Sequence, residues 1–194
     1  MPHHDLVALW EAHTRTEFET RDADSTMATM VEQPYVNHIP TMTGGVGHNQ
    51  LKRFYKYHFI GANPPDTSMK LISRTVGTNS LVDDMLFSFT HTSEILDAAG
   101  YRADWTQGEI PLVAIVQFSG DKLVHEHIYW DQASVLVQIG VLDAAGLPVA
   151  GAETAHKAVD RTLPSNALMK NWRSSVGQAD LTIAGAPQRF NSGR

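Results

Sequence analysis

A chain of 194 residues with 42% hydrophobic content can bury one domain-sized core. It has no cysteine, which excludes disulfides, thiol nucleophiles and thiolate metal sites, and its net charge of −6 with scattered Lys and Arg argues against nucleic acid as a partner. No apolar run approaches the roughly 18 residues that cross a bilayer, and the acidic, amphipathic opening MPHHDLVALWEAH does not read as a signal peptide, so a cytoplasmic protein without membrane contact is expected.

The spacing of Leu6, Leu9, Trp10, His13 and Phe18 predicts a helix over Asp5–Thr20. A second short helix is predicted over Asp22–Glu32, capped by Asp24 or Ser25 and stopped by Pro34. Tyr35–Pro40 reads as a short strand and Thr41–Gly47 as a glycine-rich loop, which lacks the GK[ST] ending of a phosphate loop. A third helix starts at His48 or Asn49 and runs to about Ile60, with Leu51, Phe54, Tyr55, His58 and Phe59 on one stripe and Lys52, Arg53 and Lys56 on the other.

Asn63-Pro64-Pro65-Asp66 ends that helix. Strands follow over Ser68–Val76, Ser80–Ser93, Ile110–Phe118 and Lys122–Asp131, joined by the Gly77/Asn79 turn, a polar loop around Gly100–Gly108 and the Ser119-Gly120-Asp121 turn. The alternation of the last strand breaks at Asp131, which can cap a short helix over Gln132–Ile139 closed by Gly140. Helices first and an antiparallel meander after them make an α+β pattern. Residues 1–142 are expected to form this domain and residues 143–194 a C-terminal extension. The extension carries short helices over Thr154–Arg161 and Asn166–Ser174 and a poorly ordered end; Leu163, Leu168, Met169 and Trp172 would pack on the sheet or on a partner subunit.

The order of elements resembles the nuclear-transport-factor-2-like superfamily. YVNH at Tyr35–His38 before a glycine-rich loop and LKRFY, THTSE at Thr90–Glu94, and FSGDKLVHEH…YWDQASVLVQIG at Phe118–Gly140 are similar to its SnoaL-like, polyketide-cyclase-like branch. The resemblance covers about Leu6–Leu142. It implies a cone-shaped α+β barrel, with three N-terminal helices on a curved antiparallel sheet and a pocket between them. It also implies a homo-oligomer, dimer or trimer, formed through the sheet. The superfamily holds isomerases, cyclases, dehydratases, epoxide hydrolases, lyases and non-catalytic domains, so fold alone does not set function.

Relatives of this type remove a proton beside a carbonyl with a side-chain base and need no cofactor. The position of the Asp base of ketosteroid isomerases falls on Asn37, which can orient a substrate oxygen beside Tyr35, and His38 next to it becomes a candidate base if the strand is bulged. The catalytic Asp and His of the cyclase fall on Ile128 and Ala114, so that pair is lost. The same comparison, supported by alternation, turns Glu126, Ile128 and Trp130 inward. Glu126 is then a carboxylate in an aromatic and aliphatic setting, suited to general acid–base work; the alternative is an ion pair with Arg53 or Arg74.

His91 shares a face with Met85, Phe87 and Phe89 and is either a pocket base or a core histidine bonded to a carbonyl. Tyr55 and His58 on the third helix, Phe87 and Trp130 are expected to bind substrate, with Tyr55 and His58 equally readable as core packing. His125, His127, Tyr129 and Asp131 fall on the opposite face, at an interface or the outer wall, and carry the chemistry only if the strand's phase is reversed. His125-x-His127 has the look of a strand metal pair, with His91 or Asp131 as third ligand, but no metal is expected. The leading expectation is a cofactor-independent isomerase, cyclase or retro-aldol-type lyase acting on a small, largely apolar, aromatic or polyketide-like molecule. An epoxide or lactone hydrolase and a non-catalytic binding or oligomerisation domain are the alternatives.

Overall fold

The computed structural model describes residues 4–93, 104 and 106–178. The chain divides into two compact units, Met1–Leu163 and Pro164–Arg194. In the first, α1 (Leu6–Phe18) starts where the Asp5 carboxylate accepts from the Ala8 N–H at 3.0 Å. Leu6, Trp10, His13 and Glu17, spaced by three and four residues, form its buried stripe. The short α2 (Ala23–Ala28) is capped by Asp22, two or three residues before the expected caps, and ends well before Glu32. Pro34 does not stop it. Met30–His38 is already strand β1, and Pro34 sits where the register of β1 shifts, so its missing N–H breaks no regular ladder.

The glycine-rich segment expected as a loop contains strand β2 (Thr43–Val46), antiparallel to β1. Gly44 permits that pairing: its φ is +134°, and a Cβ there would lie 2.1 Å from the Val36 carbonyl oxygen. Gly44→Ala is therefore expected to destabilise the fold by more than about 1 kcal/mol, read as a melting temperature lowered by at least about 2–4 °C. An unchanged melting temperature would contradict the close approach.

Helix α3 (His48–Phe54) continues as a π-helical turn over Tyr55–Phe59, closed by the Ile60 N–H donating to the Tyr55 carbonyl at 2.9 Å. The wider turn keeps Tyr55 buried and leaves His58 exposed, off the stripe that a regular helix would give it. The remaining strands are β3 (Ser68–Val76), β4 (Ser80–Thr90), β5 (Gln107–Ser119) and β6 (Lys122–Trp130). They complete a curved, open six-stranded sheet of order β2-β1-β6-β5-β4-β3. The expected sheet was antiparallel throughout; β1 and β6 instead pair in parallel, Val36 opposite Glu126 and His38 opposite Ile128. Parallel partners need a long crossover, and everything from β2 to β5 supplies it.

Alternation puts Met85, Phe87 and Phe89 of β4, Leu112, Ala114 and Val116 of β5, and Glu126 and Ile128 of β6 in the buried set. A register shift at Gln117/Phe118 resets β6, so Leu123 and Glu126, three apart, are both buried. Asp131 caps α4 (Gln132–Gln138) by accepting from Ala133 and Ser134 N–H groups. The Gln138 amide bonds both the N–H and the carbonyl of Glu109, each at 2.9 Å, and the Ser134 hydroxyl donates to Gly151, which leads into α5 (Glu153–Val159). In the second unit the helix expected over Asn166–Ser174 is reduced to a 3₁₀ turn at Arg173–Ser175, preceded by turns. So short a helix has little stability of its own. Glu94, most of the loop before β5 and the tail from residue 179 lie outside the described residues.

Candidate active site

The sheet, α1 and the Tyr55–Phe59 turn enclose a cavity with about 50 Å³ open to the centres of solvent molecules, room for roughly three or four waters. Its wall is mostly apolar: Phe18, Phe59, Met69, Met85, Phe87, Leu112, Ala114, Ile128 and Trp130. Glu17, Tyr55, Glu126, His38, Trp10 and Thr14 complete the lining.

The two carboxylates meet behind the wall on one imidazole. His13 Nε2 lies 3.0 Å from Glu126 Oε1 and 3.2 Å from Glu17 Oε1, and His13 is wholly buried. His13 Nδ1 lies 2.6 Å from the Thr29 hydroxyl, which is itself 2.7 Å from the Thr26 carbonyl. A hydroxyl has one proton, and a carbonyl can only accept. Thr29 therefore donates to Thr26 and accepts from His13 Nδ1–H. That fixes one ring proton and aims Nε2 at two carboxylate oxygens, an arrangement that requires a second proton among the three groups.

Burial alone would lower the His13 pKa, but Glu126 and then Glu17 outweigh it, and the value rises from 6.5 to about 10. Burial raises Glu17, against the lowering effect of His13. One buried imidazolium thus serves two carboxylates, with Glu17 pushed toward its protonated form. The Tyr55 hydroxyl lies 3.4 Å from Glu126 Oε1, and its pKa is raised well above 10 by burial and then by the two carboxylates, so it stays a neutral donor. Glu126 Oε2 has no hydrogen-bond partner among the described residues, and Glu126 lines the cavity.

A second network holds α1 in place. Trp10 stacks on the His13 ring at 5.6 Å with 14° between planes. Its indole N–H donates to the buried Asp83 at 2.9 Å, and Asp83 takes two further bonds from Arg74, at 2.7 and 2.9 Å. Arg74, one of the two arginines considered for Glu126, is thus committed to Asp83 and Glu11. Glu126 pairs with His13 instead.

Glu126, His38, Tyr55, Phe87 and Trp130 come together around the cavity. His38 is buried among the rings of Phe54, Phe59 and Trp130, with Nδ1 3.2 Å from the Thr43 hydroxyl. Burial, opposed by Glu126, lowers its pKa from 6.5 to about 4, so it is a neutral imidazole at physiological pH. The other candidates stand apart. His91 is buried outside the cavity wall and pairs with Asp104 at 2.9 Å. Asn37 and Tyr35 lie on the opposite face of β1 from Val36 and His38; Tyr35 packs edge-on against His127, itself beside His125. His58 is exposed, and Asp131 is the α4 cap.

His13 and Glu17 were not among the sequence candidates. The readable signal was their i, i+4 spacing on the stripe that carries Trp10. Together with Glu126 they offer donor atoms within 4.8 Å of one another, a histidine and two carboxylates that by type could hold a divalent metal. The hydrogen bonds already joining them complete the same cluster with a proton.

No protein-family model and no curated protein matches the sequence. Solved structures do match its fold. TsrD from Streptomyces laurentii is 15% identical, with 72% of this chain and 99% of that one aligned at a TM-score of 0.57. A hypothetical protein with a ketosteroid-isomerase-like fold from Catenulispora acidiphila, solved with trimethylamine, is 10% identical over 69% of this chain and 93% of its own, at 0.54. A SnoaL-like polyketide cyclase assignment from Jannaschia sp. is 13% identical over 74% and 100%, at 0.53. Likeness at this level is one of architecture: the chain has the nuclear-transport-factor-2-like cone fold that the sequence resemblance implied.

Proposed function

We propose that the chain is a cofactor-independent acid–base enzyme that removes a proton beside a carbonyl in a small, largely apolar substrate, in an isomerisation, cyclisation or retro-aldol-type cleavage. One observation carries this reading: Glu17 and Glu126 both open on a mostly apolar cavity while sharing the buried His13 behind its wall. Paired carboxylates in unlike settings divide into a base and an acid. Glu126 receives hydrogen bonds from His13 and Tyr55 on Oε1 and keeps Oε2 free, so it acts as the base. Glu17, whose pKa burial raises, is the acid.

In the reaction, Glu126 takes the carbon-bound proton and the C–H electron pair becomes the C=C bond of the enol. The carbonyl π pair moves to oxygen, which receives the Glu17 proton. His13 keeps its charge throughout and stabilises whichever carboxylate is ionised. Return of a proton to a different carbon gives isomerisation; attack of the enol carbon on a second carbonyl gives cyclisation. His38, neutral across the cavity, and Trp130 position the substrate.

Exchange of α-hydrogens for deuterium tests the proposal without knowledge of the natural substrate. A panel of small cyclic ketones in D₂O, followed by proton NMR, is expected to exchange faster with protein than in buffer at equal pH, with a rate that saturates in ketone. Rates equal to buffer across the panel would count against proton abstraction.

A further inference from the structure

We infer that His125 and His127 bind a divalent late transition metal, Cu(II) most tightly, on the face of the sheet opposite the cavity. The site is separate from the cavity and independent of the function proposed for it. Residues two apart on a strand share a face, and these two flank the inward Glu126. Both are partly exposed, and neither imidazole has a hydrogen-bond partner among the described residues. Their ring centroids are 4.9 Å apart. A metal sits about 2.0–2.1 Å from a ligating imidazole nitrogen, hence about 3.2 Å from the ring centre. Two rings that hold one ion at about 90–110° therefore have centres about 4.5–5.2 Å apart, in tetragonal and tetrahedral sites alike. The pair already has that separation. The ring planes are inclined by 30°. A turn about the Cβ–Cγ bonds, opposed by no hydrogen bond, points a nitrogen of each ring at a common ion.

The surroundings suit such an ion. Strand β6 is a fixed base, because β1 and β5 pair with it on its two sides. Gln117 stands opposite His125 on β5, and Asn37 opposite His127 on β1. Their amide oxygens can accept from the waters that complete the coordination shell. His91 and Asp131 supply no third ligand: His91 pairs with Asp104, and Asp131 caps α4. Tyr35 and Ile115 hold the other two paired positions, so no carboxylate stands opposite either histidine. Imidazole donors without carboxylate select Cu(II), Ni(II) and Zn(II) over Mg(II) and Ca(II), and within that series affinity is greatest for Cu(II).

Isothermal titration of the full chain with Cu(II), at about pH 7.5 where the imidazoles are mostly neutral, is expected to show a saturable site. Zn(II) should bind it more weakly and Mg(II) give no heat. His125→Asn and His127→Asn should each weaken Cu(II) at least about tenfold. His48→Asn, at an exposed histidine on α3, should leave the affinity within about twofold. Proton–nitrogen NMR reads the site in the unaltered protein should a variant fail to fold. Cu(II) at about a tenth of the chain's concentration is expected to broaden the amide signals of residues 115–117, 125–127 and Asn37 first. Absence of Cu(II) binding, unchanged affinity in either folded variant, or broadening centred on another histidine would overturn the inference.

Discussion

Glu126→Gln is expected to lower proton abstraction by about 10²–10⁴-fold, the range in which a positioned general base contributes. The amide has nearly the same shape, and its oxygen can still accept from His13 and Tyr55, which approach Oε1 at 3.0 and 3.4 Å. What it cannot do is accept a proton from carbon. The loss should therefore fall on kcat, with KM changed little, because the apolar wall that holds the substrate is untouched. The His13–Glu17 contact at 3.2 Å survives the change, so the buried imidazolium keeps one carboxylate and the fold is retained. The measurement is the deuterium exchange rate at saturating ketone, with circular dichroism as the control for folding. Full activity in the folded variant would remove Glu126 from the chemistry. A rise in KM at unchanged kcat would make it a binding residue only.

The inward face of β6 was readable before the structure from the family resemblance, with alternation in support. Ile128 is apolar, Tyr129 is half exposed, and a strand that buries one face allows one phase only. On β1 the expected face was the wrong one: Asn37 was set at the pocket and His38 there only through a bulge, whereas the structure buries His38 in the cavity wall and puts Asn37 on the opposite face. Strands β3 to β6 and helix α1 were visible for similar reasons, since each carries a period of 2 or 3.6 over many residues. Where the reading departed from the structure, a local signal was overruled by pairing elsewhere. Pro34 reads as a helix stop, and Thr41–Gly47 as a loop, until β6 and β2 are seen to flank β1. The π turn at Tyr55–Phe59 leaves no mark in the sequence pattern, so His58 was placed with Tyr55 when it points outward.

The acid and the anchor of the site were hidden for a different reason. His13 and Glu17 sit on a helical stripe with Leu6 and Trp10, and such a stripe reads as core packing. Their meaning depends on Glu126, which belongs to the far end of the fold and arrives only because β6 lies beside β1 in the middle of the sheet. A buried His–Glu pair four residues apart is ambiguous by itself. A third ionisable group on the same nitrogen makes it a site.

The cluster should also govern how stability depends on pH. His13→Ala is expected to cost on the order of 3–5 kcal/mol near neutrality, because it leaves two buried carboxylates without their cation. In the intact protein, the folded-state pKa of His13 is raised from 6.5 to about 10. A group raised in this way contributes stability fully below its unfolded pKa and loses it as pH climbs through the folded value. Glu17, also raised, acts in the same direction. Urea denaturation of the wild-type chain should therefore show stability falling between about pH 6.5 and 10. In the double variant Glu17→Gln/Glu126→Gln both causes of the upward shift are gone, and burial, the largest single influence on His13, acts unopposed to lower its pKa. Charging a buried histidine then opposes folding, so stability should rise as pH increases through about 6.5. The two proteins are expected to have slopes of opposite sign near neutral pH. Matching slopes would mean that His13 holds no extra proton, and that the carboxylates share one between themselves instead.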